Sequence, residues 1–324
     1  MIPAHTARVA SWLAAAAAAL AILSAAGPAP AKAGPAPAPA GPTPAPASTA
    51  SAAGPPDIVT APTLIASTAA GAVGYRQVGT GSPVLLIMGF GGSMDNWAPS
   101  FVDALATRHT VVVFDNAGIG GTAALPAPMS ISAMAGQTSA LITALHLGRT
   151  TVLGWSMGGM IAQALAALHP SQVSQLILAA TQAGTGASLP IPAAAAAALA
   201  SSDPATVLSV LFPPDQAAAA ESYLTGILQY PGYYGASAAV KTEQTAAIQQ
   251  WMAGDDPAGR QLSRIRARTL VADGTLDQLD PVPNDRLLAR GIPRALLLLY
   301  PDAGHAFLFQ DAAQFVPAIE RFVR

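Results

Sequence analysis

Ser156 stands in the frame Gly154-Trp155-Ser156-Met157-Gly158, a G-x-S-x-G pattern, and it is the first residue of the chain to consider for chemistry. A serine at the tip of a strand-to-helix turn takes a strained backbone, and its neighbours two positions away must be small for the turn to close. The following helix aims its free N–H groups and the positive end of its dipole at the point where charge develops when the serine oxygen attacks. The surroundings suit such a turn: Thr150 to Leu153 is a strand-favouring run, and an apolar helical run continues through Ile161 to Leu168.

A hydroxyl is a poor nucleophile until a base takes its proton, and the base works best when a carboxylate fixes its tautomer. Of the five histidines, His5 lies in the N-terminal segment, while His109, His146 and His169 lie at helix ends or just before a strand, where solvation is expected. His305 lies instead in Pro301-Asp302-Ala303-Gly304-His305-Ala306-Phe307, a loop after a strand ending at Tyr300, and is the expected base. Its carboxylate should come from the loop after the preceding strand, where Asp273, Asp277 and Asp280 compete. Asp273 sits at the strand end and suits a turn. Asp280 precedes Pro281 and suits a helix start. Asp277, in mid-loop, is free to reach the histidine and is the expected acid, with Asp280 the alternative. The backbone N–H groups of Met157 and Phe90 are the expected oxyanion donors. No cofactor and no metal enters this chemistry, and none is expected.

These residues need a scaffold that brings loops together. Short strands are expected at Thr63 to Ser67 and Val73 to Val78, then buried strands at Val84 to Met88, Val111 to Phe114, Thr150 to Leu153, Leu176 to Ala180, Thr269 to Ala272 and Ala295 to Tyr300. Helices are expected at Trp97 to Ala106, Ile131 to Leu145, Asn284 to Arg290 and Phe315 to Phe322. This alternation predicts an α/β fold with a mostly parallel, doubly wound sheet, whose ligands bind at the carboxyl ends of the strands. From 181 to about 264 the alternation stops. Alanine-rich, helix-favouring sequence there predicts an inserted helical cap, with helix starts at Asp203-Pro204 and Pro214-Asp215 and a stop at Gly254. Tyr223, Tyr230, Tyr233, Tyr234 and Trp251 are expected to pack this cap onto the core.

The order Ser156, Asp277, His305 and the loops around them resemble the α/β-hydrolase superfamily, over roughly Val73 to Arg324. The resemblance implies nucleophile Ser156, acid Asp277, base His305 and an oxyanion hole from Phe90 and Met157. Met88 stands where many members have histidine before the oxyanion glycine, and Ala117 where many have arginine.

Composition bounds the remaining possibilities. A net charge of -2 with 10% charged residues over 324 residues excludes a strongly basic, nucleic-acid-binding chain. The absence of cysteine excludes disulfides, thiolate metal sites and a cysteine nucleophile. The 52% hydrophobic fraction is largely alanine, and after the N-terminus no strongly apolar run approaches the ~20 residues of a spanning helix. Residues 1–33 predict an export signal: a weakly basic start at His5 and Arg8, an apolar stretch from Val9 to Ala26, and a small-x-small site at Ala31-Lys32-Ala33. An uncleaved anchor is the competing reading. Residues 34–56, rich in proline and alanine, predict a disordered tether, so the folded domain is expected over 57–324.

The expectation is therefore a secreted or cell-envelope serine hydrolase cleaving an ester, or an amide, of a small molecule with an apolar acyl or aromatic part. Alternatives on the same triad are a cofactor-free haloperoxidase or perhydrolase and a carbon-carbon bond hydrolase; a non-catalytic binding protein is a third.

Overall fold

The computed structural model describes residues 56–324. The expected export signal and, apart from Pro56, the expected tether lie outside the described residues. Eight strands form one sheet: β1 (Leu64–Thr68), β2 (Gly71–Val78), β3 (Ser82–Ile87), β4 (His109–Phe114), β5 (Thr150–Trp155), β6 (Val173–Ala179), β7 (Arg268–Gly274) and β8 (Leu296–Tyr300). Their spatial order is β1-β2-β4-β3-β5-β6-β7-β8. The β1–β2 and β2–β4 pairs are antiparallel, and every other neighbouring pair is parallel.

The continuous apolar runs mark strands covered on both faces. Because strand side chains alternate, Val84, Leu86, Val111 and Val113 enter one core while Leu85, Ile87, Val112 and Phe114 enter the other. The first core is completed by α1 (Pro99–Ala106) and by the C-terminal α9 (Phe307–Gln310) and α10 (Ala312–Val323). The second is completed by α2 (Ile131–Ala144), α3 (Met157–Leu168) and α8 (Pro283–Gly291). Chain reversal at β3–β5, where β4 and β5 leave to opposite sides of β3, places the loops after β3 and β5 side by side at the carboxyl edge.

Several boundaries differ from expectation for local reasons. The helix expected at Trp97 to Ala106 begins two residues later, at Pro99, and a 3₁₀ turn at Met94–Asn96, closed by a reciprocal Ser93–Asn96 capping box, precedes it. Pro99 opens α1, where its missing N–H costs nothing. The strand expected from Leu176 begins at Val173, since Val173 pairs with Thr150 and Gln175 with Arg268.

Between β6 and β7 lie α4 (Ala193–Leu199), α5 (Pro204–Leu211), α6 (Ala217–Ile227) and α7 (Ala238–Ala253), with two 3₁₀ turns and no strand among these residues. The Asp203 carboxylate caps α5, accepting from Thr206 N at 3.0 Å. Gly254 ends α7 in the left-handed conformation, with φ of 77°. The start expected at Pro214-Asp215 falls two residues later, at Ala217. Tyr230 and Trp251 fasten the insertion to the sheet domain as packing residues: the Tyr230 hydroxyl donates to Trp97 O at 2.9 Å, and the Trp251 indole to Gln182 O at 3.1 Å. Among the described residues no helix is long and apolar enough to cross a membrane.

Candidate active site

Ser156 joins the wholly buried β5 to α3 with φ of 58° and ψ of -124°, a region L-residues rarely occupy. The strain is held in place from several directions. Ser156 N donates to Ala179 O at 2.9 Å, and its carbonyl accepts from Gly159 N at 2.8 Å and from Thr181 Oγ1 at 2.7 Å. The two framing glycines are required by close approach. A β-carbon on Gly154 would overlap the Gly158 carbonyl, and one on Gly158 would overlap the Ile87 carbonyl of β3. From Thr151 to Met160, Ser156 is the one residue that is not buried.

His305 lies in the loop after β8, 3% exposed, with Nδ1 2.6 Å from Asp277 Oδ2. The other Asp277 oxygen accepts backbone N–H groups from Leu279 at 2.6 Å and Asp280 at 2.9 Å. The two loops are stitched together by Thr275 N to Tyr300 O at 2.9 Å and Leu276 N to Ala303 O at 2.8 Å. Trp155, beside the serine, donates its indole N–H to His305 O at 3.0 Å, and its ring centroid lies 5.7 Å from that of the histidine.

Ser156 and His305 line a single cavity of about 750 Å³ between the sheet edge and the insertion. Their side chains share it without a direct hydrogen bond, a separation common before substrate tightens the arrangement. The loop after β3 forms the opposite wall: a methyl on Gly89 would stand 3.1 Å from Ser156 Cβ and 3.7 Å from its Oγ. The N–H groups of Phe90 and Met157 find no acceptor among the described residues. Asn116 Nδ2 holds the Met88 carbonyl at 2.8 Å, and Gln244 Oε1 accepts Gly91 N–H at 2.8 Å, so this loop is braced from the β4 loop and from α7. Met88 packs in the cavity wall, and Ala117 is fully buried.

Of the three competing aspartates, only Asp277 reaches His305. Asp280 bonds Asn284 Nδ2 at 2.9 Å, and Asp273 takes Gly274 N at 2.6 Å. With Asp285 they form a buried carboxylate cluster whose oxygens lie within 4.8 Å of one another. Burial, followed by repulsion from neighbouring carboxylates, raises all three: Asp273 and Asp280 well above the ordinary range, and Asp285 to about 8. The cluster has no signature in the sequence, because Asp285 lies on α8 and its approach to β7 is a tertiary event.

Two other expectations are corrected. His109 is buried rather than solvated, with Ser82 Oγ at 3.1 Å from Nδ1 and Glu320 Oε1 at 3.0 Å from Nε2. Tyr223, Tyr233 and Tyr234 line the cavity besides packing the insertion. Tyr233 OH accepts from Asn96 Nδ2 at 2.8 Å, and Tyr234 OH donates to Asp115 Oδ2 at 2.6 Å. Burial pushes the Asp115 carboxyl up to about 6, against the opposing effect of the Tyr234 bond.

Residues 82–312 match the family model described as alpha/beta hydrolase fold. The chain belongs to the α/β-hydrolase family. This α/β hydrolase is 28% identical over 253 residues to a poly(3-hydroxyalkanoate) depolymerase of Ectopseudomonas oleovorans, covering 75% of this chain and 84% of that protein. Among solved structures, an α/β-hydrolase-fold protein from Chitinophaga pinensis is similar at a TM-score of 0.69 and 27% identity, over 82% of this chain and 98% of the other. A thermophilic esterase from Thermogutta terrifontis is similar at a TM-score of 0.62 and 25% identity, over the same shares. The protein is thus an enzyme of the hydrolase class.

Proposed function

We propose that this α/β hydrolase cleaves a carboxylic ester through an acyl-enzyme on Ser156. The observation that carries the reading is the convergence on one cavity of a serine in a strained elbow and a histidine bonded to a buried aspartate. The esterase neighbour supports it.

In this mechanism His305 Nε2 takes the Ser156 proton as Oγ adds to the substrate carbonyl, and Asp277 stabilises the imidazolium through Nδ1. The oxyanion accepts from the N–H groups of Phe90 and Met157, which have no acceptor among the described residues. Collapse breaks the ester bond, and the alcohol leaves with the proton from His305. Water then attacks the acyl group, giving its proton to His305, which returns it to Ser156 as the acid departs. The largely aliphatic wall from α5 and α6, including Leu208, Leu211, Leu224 and Ile227, suits an apolar acyl stem. The apolar leader over 9–26 supports action outside the cytoplasm.

The test is labelling with a fluorophosphonate probe and hydrolysis of a 4-nitrophenyl ester series, in the parent and in Ser156→Ala. Both signals should vanish in the variant. Labelling that survives Ser156→Ala removes the assignment. Labelling without turnover of any ester moves the chemistry to perhydrolysis or carbon-carbon cleavage.

A further inference from the structure

One cation in the cavity wall has no counter-ion among the described residues. Lys241 lies in the first turn of α7, half-buried and without an ion pair. One turn further along the same helix, Gln244 reaches the loop after β3 and takes Gly91 N–H. The Lys241 stem lies across the same residue: a β-carbon on Gly91 would stand 3.0 Å from its Cε and 3.7 Å from its Cδ and Cγ. The loop is held under the lysine by Ala236 N donating to Gly91 O at 3.0 Å and by a bridge between Gly92 and Gly235.

Carboxylates at the cavity rim, on α7 and on the loop after β4 are bonded to other groups. Asp203, exposed at the cavity rim, caps α5 through Thr206. Glu243, on the same helix, accepts from Met129 N at 3.1 Å. Asp115 takes Met94 N–H and the Tyr234 hydroxyl. His305, the other basic group in the wall, is engaged by Asp277. A cation in a cavity wall that no carboxylate among the described residues engages gains a charge-assisted bond from an anion that arrives with the ligand.

We propose that Lys241 is a specificity-determining residue that binds a carboxylate of the substrate, so that the enzyme prefers a monoester of a short dicarboxylic acid over a neutral ester of equal length. This rests on the ester reading above and names its substrate class. Gly91 directly follows Phe90, with a Cα separation of about 3.8 Å. A carboxylate on the lysine therefore lies within a short acyl stem of a carbonyl at the Phe90 N–H, which favours a short diacid over a long one.

The experiment compares 4-nitrophenyl hemiglutarate with 4-nitrophenyl valerate, and measures glutarate binding by calorimetry, in the full chain. The parent should favour the anionic ester by about tenfold in kcat/KM, mostly through KM, the discrimination expected of one charge-assisted contact. Lys241→Met should bring the ratio to about one and abolish glutarate binding, and Lys241→Arg should restore both. A ratio and a glutarate affinity unchanged by Lys241→Met overturn the proposal. Fluorophosphonate labelling of Ser156 in the same preparations separates the two readings. Lost labelling in the parent defeats the ester mechanism, whereas calorimetry still decides whether Lys241 holds a carboxylate.

Discussion

Asp277 divides its two oxygens between two tasks: Oδ2 lies 2.6 Å from His305 Nδ1, while Oδ1 takes the N–H groups of Leu279 and Asp280. The backbone bonds fix the carboxylate plane, so the histidine is oriented by a group that cannot itself rotate. Asp277→Asn should leave the far-ultraviolet circular dichroism unchanged and lower kcat by about 10³ to 10⁴, because the amide favours the wrong imidazole tautomer. Asp280→Asn, whose side chain is turned to Asn284, should cost far less. Steady-state hydrolysis of a 4-nitrophenyl ester reads both, and equal losses in the two variants would contradict the assignment of the acid.

Gly158→Ala should destabilise the fold by about 3 kcal/mol, since the added methyl collides with backbone of β3 that cannot move aside. Gly148→Ala is a poor control because its φ is positive. Gly136, in α2 with open space around it, is a good one: Gly136→Ala should be neutral or stabilising by up to about 1 kcal/mol. Denaturant midpoints distinguish them.

The buried carboxylates Asp273, Asp280 and Asp285 make stability depend on pH in a defined direction. With Asp285 raised from 3.8 to about 8, the folded chain binds more protons than the unfolded chain between those values. The unfolding free energy then has a negative slope against pH. This contribution is fully present below about pH 4 and is lost as pH rises through about 8. Thermal melting should therefore fall between pH 6 and pH 9, and Asp285→Asn should flatten that decline. A parallel decline in the variant would show that the cluster does not hold the protons.

A second serine-histidine-carboxylate set, Ser82, His109 and Glu320, carries similar side-chain types at the start of β3 and β4 and on α10. It has neither the strained elbow nor a place in the cavity wall. Ser82→Ala should leave fluorophosphonate labelling intact, while Glu320→Gln should lower stability by about 1 kcal/mol by weakening the tie between α10 and β4. Loss of labelling in Ser82→Ala would assign the wrong serine.

The order of strands and helices was legible in the chain because most buried strands centre on a short apolar run, and several turns carry a glycine or proline locally. Ser156 was legible for the same reason: the residues that strain it, Gly154 and Gly158, are its sequence neighbours. Asp203-Pro204 and Gly254 marked helix ends through bonds that span only a few residues.

What remained open in the sequence depended on residues far apart in the chain. Asp277 and Asp280 are three positions apart in one loop, and only the packing of that loop against the β8 loop shows which of them faces His305. The burial of His109 needed Glu320, 211 residues away, and the carboxylate cluster needed α8 folded against β7. Lys241 carried no local signal at all, since its significance is that no carboxylate among the described residues is bonded to it. Short-range bonds and apolar periodicity are written into neighbouring residues. Which charged groups meet, and which are left without partners, is decided only when distant segments close around one cavity.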